Sequence, residues 1–300
     1  MLKYITFYQV DAFTDQAFGG NPAGVVPEAA ILEEEEMQLA AREFNLSETA
    51  FLSPSGSENA DIRVRYFTPS CEIDFCGHAT LSAAWIMASE LDWLRHSREI
   101  RFETNIGIVP VIFQTEGEKL VSAEMTQISP KIKEIEYSLE ELCQMIGVSS
   151  ADIDDRFPIR LGYTGNWHLL VPLKTREAID GAAPQFDLVE EHNRRLGIST
   201  THLFTFDAKG MEYDIYTRDF APAAGIREDP VTGSANGALA GYLMLENILE
   251  QGKNHMLAIG QGHAAGRPGL LQAGISSDGE SIRITIGGSA VPVISGTLAF

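Results

Sequence analysis

The sequence contains one internal repeat, and this repeat limits the possible folds more than any other feature. Residues 61–69 (DIRVRYFTP) match residues 214–222 (DIYTRDFAP), with Asp, Ile, Arg, Phe and Pro each recurring 153 positions later. Two further matches keep the same order along the chain: residues 20–21 with 165–166, and residues 77–79 with 233–235. Self-similarity of this kind predicts a fold built from two similar halves.

The length of 300 residues also fits two domains. The polar stretch 127–133 interrupts the strand-like pattern and predicts the boundary between them. Segment 290–300 is strand-like, and we expect it to return to the first domain. The predicted domains are therefore residues 1–127 with 289–300, and residues 128–288.

Each half is expected to form a mostly antiparallel sheet curled around one buried helix. Apolar and polar residues alternate at 62–67 and 211–217, which predicts half-buried strands. Segments 79–89 and 234–245 contain no charged residue, and a helix without a charged face is usually buried on all sides. Segment 28–44 has one apolar stripe and an acidic face, typical of a surface helix. The predicted fold class is α+β, with two pseudo-symmetric domains.

Composition restricts the partners and the compartment. The formal charge is −20, from 22 Lys and Arg against 42 Asp and Glu, which disfavours nucleic acids and anionic membrane surfaces. Three cysteines are too few for a disulfide framework. Residues 1–10 alternate like a strand and lack the features of a signal peptide, and no segment has the roughly 18 apolar residues of a membrane span. We therefore expect a soluble, cytoplasmic protein that binds a small metabolite.

The starts of the two charge-free helices are the expected ligand sites. The first N–H groups of a helix and its dipole favour a bound carboxylate or an enolate-like intermediate. Gly77 and Gly233 would let a ligand approach the backbone closely. The alternative is that both are ordinary turns, with Ser234 as an N-cap. Because the two motifs occupy matched positions, we favour a site in one cleft between the domains.

Three titratable residues near these helix starts could move a proton. His78 would be kept neutral by the helix dipole, although a lone histidine is more often structural. Asp229 could act in the site or could simply begin an Asp-Pro turn. Glu48 follows the acidic helix. It could be an exposed loop residue, or a buried carboxylate whose raised pKa suits a general base.

Cys76 and the glycine-rich segments suggest other chemistries. Cys76 could be a thiolate activated by the helix start, or a small buried filler. A racemase with two thiols would need a second cysteine at the related position, where Thr232 stands. Segment 260–266 has one residue too many for the dinucleotide fingerprint. Cys71, Cys76 and His78 make a poor zinc signature. We therefore expect no metal and no cofactor.

Several segments together resemble the motifs of the PhzF (phenazine biosynthesis-like) family. They are GNPAGVV at 20–26, SETAF at 47–51, RYFTP at 65–69, CGHAT at 76–80 and EDPVTGSANG at 228–237. The resemblance implies the diaminopimelate-epimerase-like fold, often as a homodimer, and cofactor-independent isomerase chemistry.

The resemblance also implies roles for individual residues. Glu48 corresponds to the acid/base that takes a proton from one carbon and returns it to another, and His78 and Asp229 to its site partners. The implied substrate-binding positions are Asn21, Gly77, Thr232, Gly233 and Ser234. Segment 261–268 resembles a stretch that borders the cleft.

Three functions are compatible with these residues. The leading one is an isomerase that moves a proton on a small carboxylic acid, with Glu48 as the shuttle. The second is an amino-acid epimerase or racemase that uses Cys76. The third is a non-catalytic member that binds a metabolite or a protein. Glu48, His78 and Asp229 together favour an enzyme.

Overall fold

The computed structural model describes residues 3–277 and 281–300. Its internal contacts divide the chain into two compact units. The first unit is Met1–Thr126 with Gly287–Phe300, and the second is Gln127–Ile286. The domain bounds predicted from the sequence describe parts of the chain that fold independently. The contacts define compact units and do not test independent folding, so these bounds stay a prediction.

The described part of the first unit contains strands and two α-helices. The strands are β1 (Tyr4–Ala12), β2 (Asn21–Val26), β3 (Glu48–Pro54), β4 (Ile62–Phe67), β5 (Glu72–Ile73), β6 (Glu99–Thr104), β7 (Gly107–Glu116) and β8 (Lys119–Thr126). The helices are α1 (Glu34–Phe44) and α2 (Gly77–Ser89), with 3-10 turns at Ala29–Ile31 and Trp93–Arg95.

The second unit has the same kinds of element and additional helices. The strands are β9 (Lys131–Lys133), β10 (Arg160–Tyr163), β11 (Trp167–Pro172), β12 (Thr200–Thr205), β13 (Ile215–Phe220), β14 (Glu228–Asp229), β15 (His255–Gln261) and β16 (Gly269–Ser277). The helices are α3 (Leu139–Ile146), α4 (Arg176–Asp180), α5 (Phe186–Leu196) and α6 (Gly233–Leu245), with 3-10 turns at Ser150–Asp152 and Pro222–Ala224. Strand β17 (Ile282–Gly288) crosses the second boundary, and β18 (Ala290–Ala299) pairs antiparallel with β1.

The strand pairings repeat from one unit to the other. Strand β3 pairs parallel with β2 and antiparallel with β4, as β12 does with β11 and β13. Strand β4 also pairs parallel with β6, as β13 does with β15. In these registers, Glu48 corresponds to Thr200 and Tyr66 to Asp219. The predicted α+β fold of two similar halves is confirmed.

An ion pair is also repeated. Arg65 donates to Glu72 with Nε and Nη2, at 2.8 and 2.6 Å. Arg218 makes the same two bonds to Glu228, at 2.9 and 2.8 Å. In each unit this fork joins the central strand to the short strand before the buried helix. The repeat thus extends from the backbone to side chains that hold the helix start in place.

Helices α2 and α6 form the centre of their units. Residues 79–88 of α2 and 235–244 of α6 are all buried, as expected for helices without a charged face. Each is 13 residues long. Within the described residues, no helix is long and apolar enough to cross a bilayer.

Two sequence-based element bounds were wrong. The predicted helix 28–44 begins only at Glu34, because Glu33 is extended and forms a capping box with Glu36. The predicted strand 211–217 begins at Ile215. Its first residue, Met211, instead closes a turn onto Ala208 and is largely exposed. Alternating polarity therefore did not indicate a buried strand there.

Gly20, next to the candidate residue Asn21, cannot carry a side chain. Its φ is +55°, and a Cβ would collide with the carbonyl oxygen of Ala12. Gly117 has a similar φ of +63°, but no described atom lies within 4 Å of its Cβ position. We expect Gly117→Ala to lower the free energy of unfolding by about 1 kcal/mol, the backbone cost alone. Gly20→Ala should cost at least about 2 kcal/mol more, because the collision adds strain. Equal losses in denaturant unfolding would contradict this.

His168 makes the stability of the second unit dependent on pH. The side chain is buried, and burial lowers its pKa from 6.5 to about 4. Below pH 6.5 the unfolded chain therefore binds a proton that the folded chain does not, so stability falls as the pH falls. His168→Asn keeps a donor for Thr200 but cannot titrate. Between pH 7 and 4.5 the variant should lose about 2 kcal/mol less than the wild type in denaturant unfolding. An unchanged pH dependence would refute this role.

Candidate active site

In the first unit, three reactive side chains meet at the start of α2. The chain leaves α1 at Asn45, whose φ is 52° in the left-handed region, and enters β3 at Glu48. Cys76 is the N-cap of α2 and His78 is its second residue. Ligand atoms of Glu48, Cys76 and His78 all lie within 4.8 Å of one another.

The carboxylate and the imidazole form the closest pair of this group. Oε2 of Glu48 lies 3.2 Å from Nε2 of His78, and the two side chains are only 16% and 10% exposed. This distance is short enough for an ion pair, but the two atoms do not form a hydrogen bond. The buried Oε2 of Glu48 has no hydrogen-bond partner among the described residues. Sγ of Cys76 lies 3.4 Å from Nδ1 of His78. The hydroxyl of Ser47, which the sequence did not single out, lies 3.5 Å from Nε2.

Burial determines the protonation of His78. It lowers the pKa of the imidazole, and the neighbouring Glu48 carboxylate opposes this effect only in part. The ring is therefore neutral near pH 7. A neutral imidazole beside a carboxylate can hold or relay a proton without adding a fixed positive charge.

The start of α2 offers its backbone amides to a ligand. Its N-cap side chain makes no capping hydrogen bond, and its first turn carries no acidic residue. Among the described atoms, only the end of Met125, at 3.7 Å, lies within 4 Å of a Cβ placed at Gly77, so the space beside the backbone is open. These amides and the helix dipole favour an anion.

In the second unit, Thr232 is the N-cap of α6 and Gly233 its first residue. Ser234 is therefore inside the helix, and the alternative that it is the N-cap is wrong. The Thr232 side chain does not cap the helix either. Its hydroxyl lies 2.5 Å from Oδ2 of Asp229 and 3.0 Å from Oδ2 of Asp219. As in α2, the side chain of the N-cap residue makes no capping hydrogen bond.

The remaining predicted residues lie beside these helix starts or deeper in their units. Asn21 begins β2 and is buried. Gln261, also buried, donates from Nε2 to the carbonyl oxygen of Asp229 at 2.9 Å. Gly262 has a φ of +91°, and a Cβ there would collide with the carbonyl oxygen of Arg267.

The structure thus brings the predicted residues together as two sets. The set in the first unit is Glu48, Gly77 and His78, and that in the second is Asp229, Thr232, Gly233 and Ser234. Their roles, and the single cleft expected for them, stay predictions.

The Glu48, Cys76 and His78 group is also where a metal could bind. Carboxylate, thiolate and imidazole are all zinc ligands, and catalytic zinc sites use three protein ligands. Cys71 does not belong to this group, because it is exposed and lies 3.6 Å from the Thr68 hydroxyl. Among the described residues, the Cys71, Cys76 and His78 set, which the sequence indicates is a poor zinc signature, is not brought together. The expectation of a metal-free site stays a prediction.

Sequence comparison identifies relatives along nearly the whole chain. The profile of the phenazine biosynthesis-like (PhzC-PhzF) family matches residues 10–296. The uncharacterized isomerase YfhB of Bacillus subtilis is 33% identical, with 97% of each chain covered. The uncharacterized isomerase YddE of Escherichia coli K12 is 34% identical, with 95% of each chain covered.

Solved structures agree with this assignment. A Bacillus anthracis phenazine biosynthesis protein of the PhzF family superposes with a TM-score of 0.89 and 32% identity, covering 99% of both chains. A hydroxyproline epimerase from Agrobacterium vitis shares the fold alone, with a TM-score of 0.65 and 15% identity over 99% of this chain and 92% of that one. The prediction of an isomerase is confirmed by the curated relatives. The chain therefore belongs to the PhzF family of isomerases.

Proposed function

We propose that this isomerase moves a proton on a small carboxylic acid, with Glu48 as the acid/base and without a cofactor. The observation that carries the proposal is the buried, unbonded Oε2 of Glu48 beside His78. An unpaired buried carboxylate oxygen costs free energy. This cost is offset if a bound substrate supplies the missing partner of Oε2.

The chemistry follows from the groups at the start of α2. Glu48 as a carboxylate accepts a proton from an acidic C–H of the substrate and becomes a carboxylic acid. The negative charge left on the substrate is stabilised by the first amides of the helix. Glu48 then returns the proton to another carbon, which moves the double bond, and is a carboxylate again. Neutral His78 orients Glu48 or the substrate during both transfers.

The second candidate is an epimerase that uses the Cys76 thiol. The 3.4 Å distance between Sγ and Nδ1 of His78 favours it, since an imidazole can take the thiol proton. Thr232 occupies the corresponding N-cap of α6. A threonine hydroxyl is far less acidic than a thiol, so the second base of a two-thiol mechanism is missing at that position.

Solvent exchange distinguishes these mechanisms. Unsaturated small carboxylic acids with an acidic C–H test the double-bond shift, and L-proline and trans-4-hydroxy-L-proline test epimerisation; each is incubated with the protein in deuterated water and followed by NMR. With an unsaturated acid that the wild type labels, we expect a shifted double bond, loss of labelling in Glu48→Gln and retention in Cys76→Ser. If a stereocentre is inverted instead, and this inversion is lost in Cys76→Ser, the protein is an epimerase. Labelling unchanged in Glu48→Gln would contradict the proposal.

The proposal also includes the ligand that the protein binds and its oligomeric state. We expect a small carboxylate metabolite as the ligand and, from the family resemblance, a homodimer in the cytoplasm. A non-catalytic binder would retain affinity for the carboxylic acid but label none of it.

A further inference from the structure

A continuous network of buried polar side chains runs through the core of the second unit. Its members are almost fully buried, at 5% exposure or less: His168, Thr200, His202, Thr217, Asp219, Asn236 and Gln261. Placing two imidazoles and a carboxylate in a core is costly unless their polar atoms are paired, and among the described residues all buried side-chain polar atoms of this network except Nε2 of His168 have a hydrogen-bond partner. The positions of the protons in this network can therefore be worked out from its hydrogen bonds.

The orientation of two amides is fixed by one backbone donor. The N–H of Thr232 can only donate, and it donates to Oε1 of Gln261 at 3.2 Å. Nδ2 of Asn236 lies 2.7 Å from the same oxygen and 2.9 Å from the carbonyl oxygen of Thr232, so it donates to both. Consequently the other amide atom of Asn236 is the oxygen Oδ1, which can only accept, so any group hydrogen-bonded to it must donate.

His202 faces this acceptor, which determines the protonation of its ring. Nε2 lies 3.3 Å from Oδ1 of Asn236 and therefore carries a hydrogen. Nδ1 lies 2.9 Å from Oδ1 of Asp219. When Asp219 is ionised, Nδ1 carries a hydrogen too, and the ring is an imidazolium paired with a carboxylate.

A further donor favours the ionised form of Asp219. The Thr200 hydroxyl donates to its Oδ1 at 2.7 Å, and His168 lies 2.7 Å behind this hydroxyl. Donors that converge on a carboxylate stabilise its charge. The titratable groups facing Asp219 are His202 directly, His168 across Thr200 and Asp229 across Thr232.

The Thr232 hydroxyl connects this pair to Asp229. It has one hydrogen but contacts two carboxyl oxygens, Oδ2 of Asp219 and Oδ2 of Asp229. Gln261 donates to it from Nε2 at 3.2 Å. Both carboxyl contacts are hydrogen bonds only if one carboxyl carries a proton. Asp219 and Asp229 also lie directly opposite each other in β13 and β14, where two negative charges would repel.

We propose that the His202–Asp219 pair holds Asp229 in its protonated form, through the Thr232 hydroxyl, so that Asp229 presents an uncharged carboxyl group to the substrate carboxylate. His202, Asp219 and Thr232 are then positioning residues, and Asp229 is the group that meets the substrate. The inference deepens the proposed function, because it rests on Asp229 belonging to the site.

The first unit shows that the fold does not need this charged pair. Tyr66 stands in the register position of Asp219, and its hydroxyl lies 2.5 Å from that of Thr80. Thr80 donates to the carbonyl oxygen of Cys76 at 2.7 Å. Neutral groups therefore support the start of α2, so a buried imidazolium and carboxylate at the start of α6 point to function.

NMR of the full-length protein tests the proposal without a substrate. Ring nitrogens are followed with ¹⁵N-histidine and carboxyl carbons with ¹³C-aspartate from pH 5 to 9, and signals are assigned with His168→Asn and Asp229→Asn. We expect His202 to keep hydrogens on both nitrogens and Asp229 to be protonated at pH 7. In Thr232→Val, Asp229 should be ionised at pH 7, because the hydroxyl that accepts its proton is missing, whereas Thr232→Ser, which keeps the hydroxyl, should leave it protonated.

Several outcomes would overturn the proposal. They are an ionised Asp229 at pH 7, a His202 ring without a hydrogen on Nε2, and a protonation of Asp229 that is the same in Thr232→Val as in the wild type. Glu48→Gln should leave these spectra unchanged. Failure of the Glu48 assignment would therefore appear in solvent exchange, and failure of the Asp229 assignment in the carboxyl spectra.

Discussion

Glu48→Gln is expected to lower the rate of solvent-deuterium incorporation by about 10³-fold, within the range typical of general acid–base catalysis. Glutamine has nearly the same shape as glutamate, but its amide cannot accept the substrate proton. Binding of the carboxylic acid should change by less than about tenfold, because the helix amides that hold the anion are unchanged. The measurement is the labelling rate by NMR, together with a calorimetric dissociation constant.

Glu43→Gln is the matched control. Glu43 lies on the exposed face of α1, so the same chemical change there should leave the labelling rate within about twofold. A comparable loss in both variants would mean that charge in general, and not the proton acceptor at position 48, supports the reaction.

Arg218→Met is expected to lower the free energy of unfolding of the protein by about 3–5 kcal/mol. The Arg218 and Glu228 side chains are only 7% and 15% exposed. Methionine would leave the carboxylate buried without its partner. It would also remove the donors to the carbonyl oxygens of Ile179 and Ala182, at 2.8 and 3.0 Å. Denaturant unfolding measures the loss.

The repeat supplies a control for this prediction. Arg65 and Glu72 make the same fork but are 24% and 25% exposed, so solvent reaches them and Arg65→Met should cost only about 1 kcal/mol. Adding Glu228→Gln to Arg218→Met should restore part of the stability by removing the unpaired charge. If the double variant is no more stable than the single one, an unpaired carboxylate is not the cause.

The sequence predicted the two central helices well because their evidence is local. An uninterrupted run without charge is visible in the residues themselves, and burial on all sides follows directly. The placement of Glu48 close to His78 could be expected only through the family resemblance. Their proximity depends on where β3 enters its sheet, which involves residues far apart in the chain.

The buried network could not be predicted from local patterns. His202 and Asp219 lie on different strands, and they meet only because β12 and β13 pair in a register that places them opposite each other. One indication was available in the repeat. Asp219 replaces the Tyr66 of the first copy, and a carboxylate at a position that carries an aromatic residue in the other copy needs a partner if it is buried.

At the starts of α2 and α6 the N-cap side chain makes no capping hydrogen bond, and this links the binding of the proposed ligand to the stability of the fold. A capping side chain at either start would contribute about 1 kcal/mol, and in both helices the N-cap side chain makes no such bond. If the proposed carboxylate binds at these amides, it supplies the acceptor that the N-cap side chain does not. The empty enzyme would then be the less stable form, and its resistance to heat would rise with the concentration of that ligand.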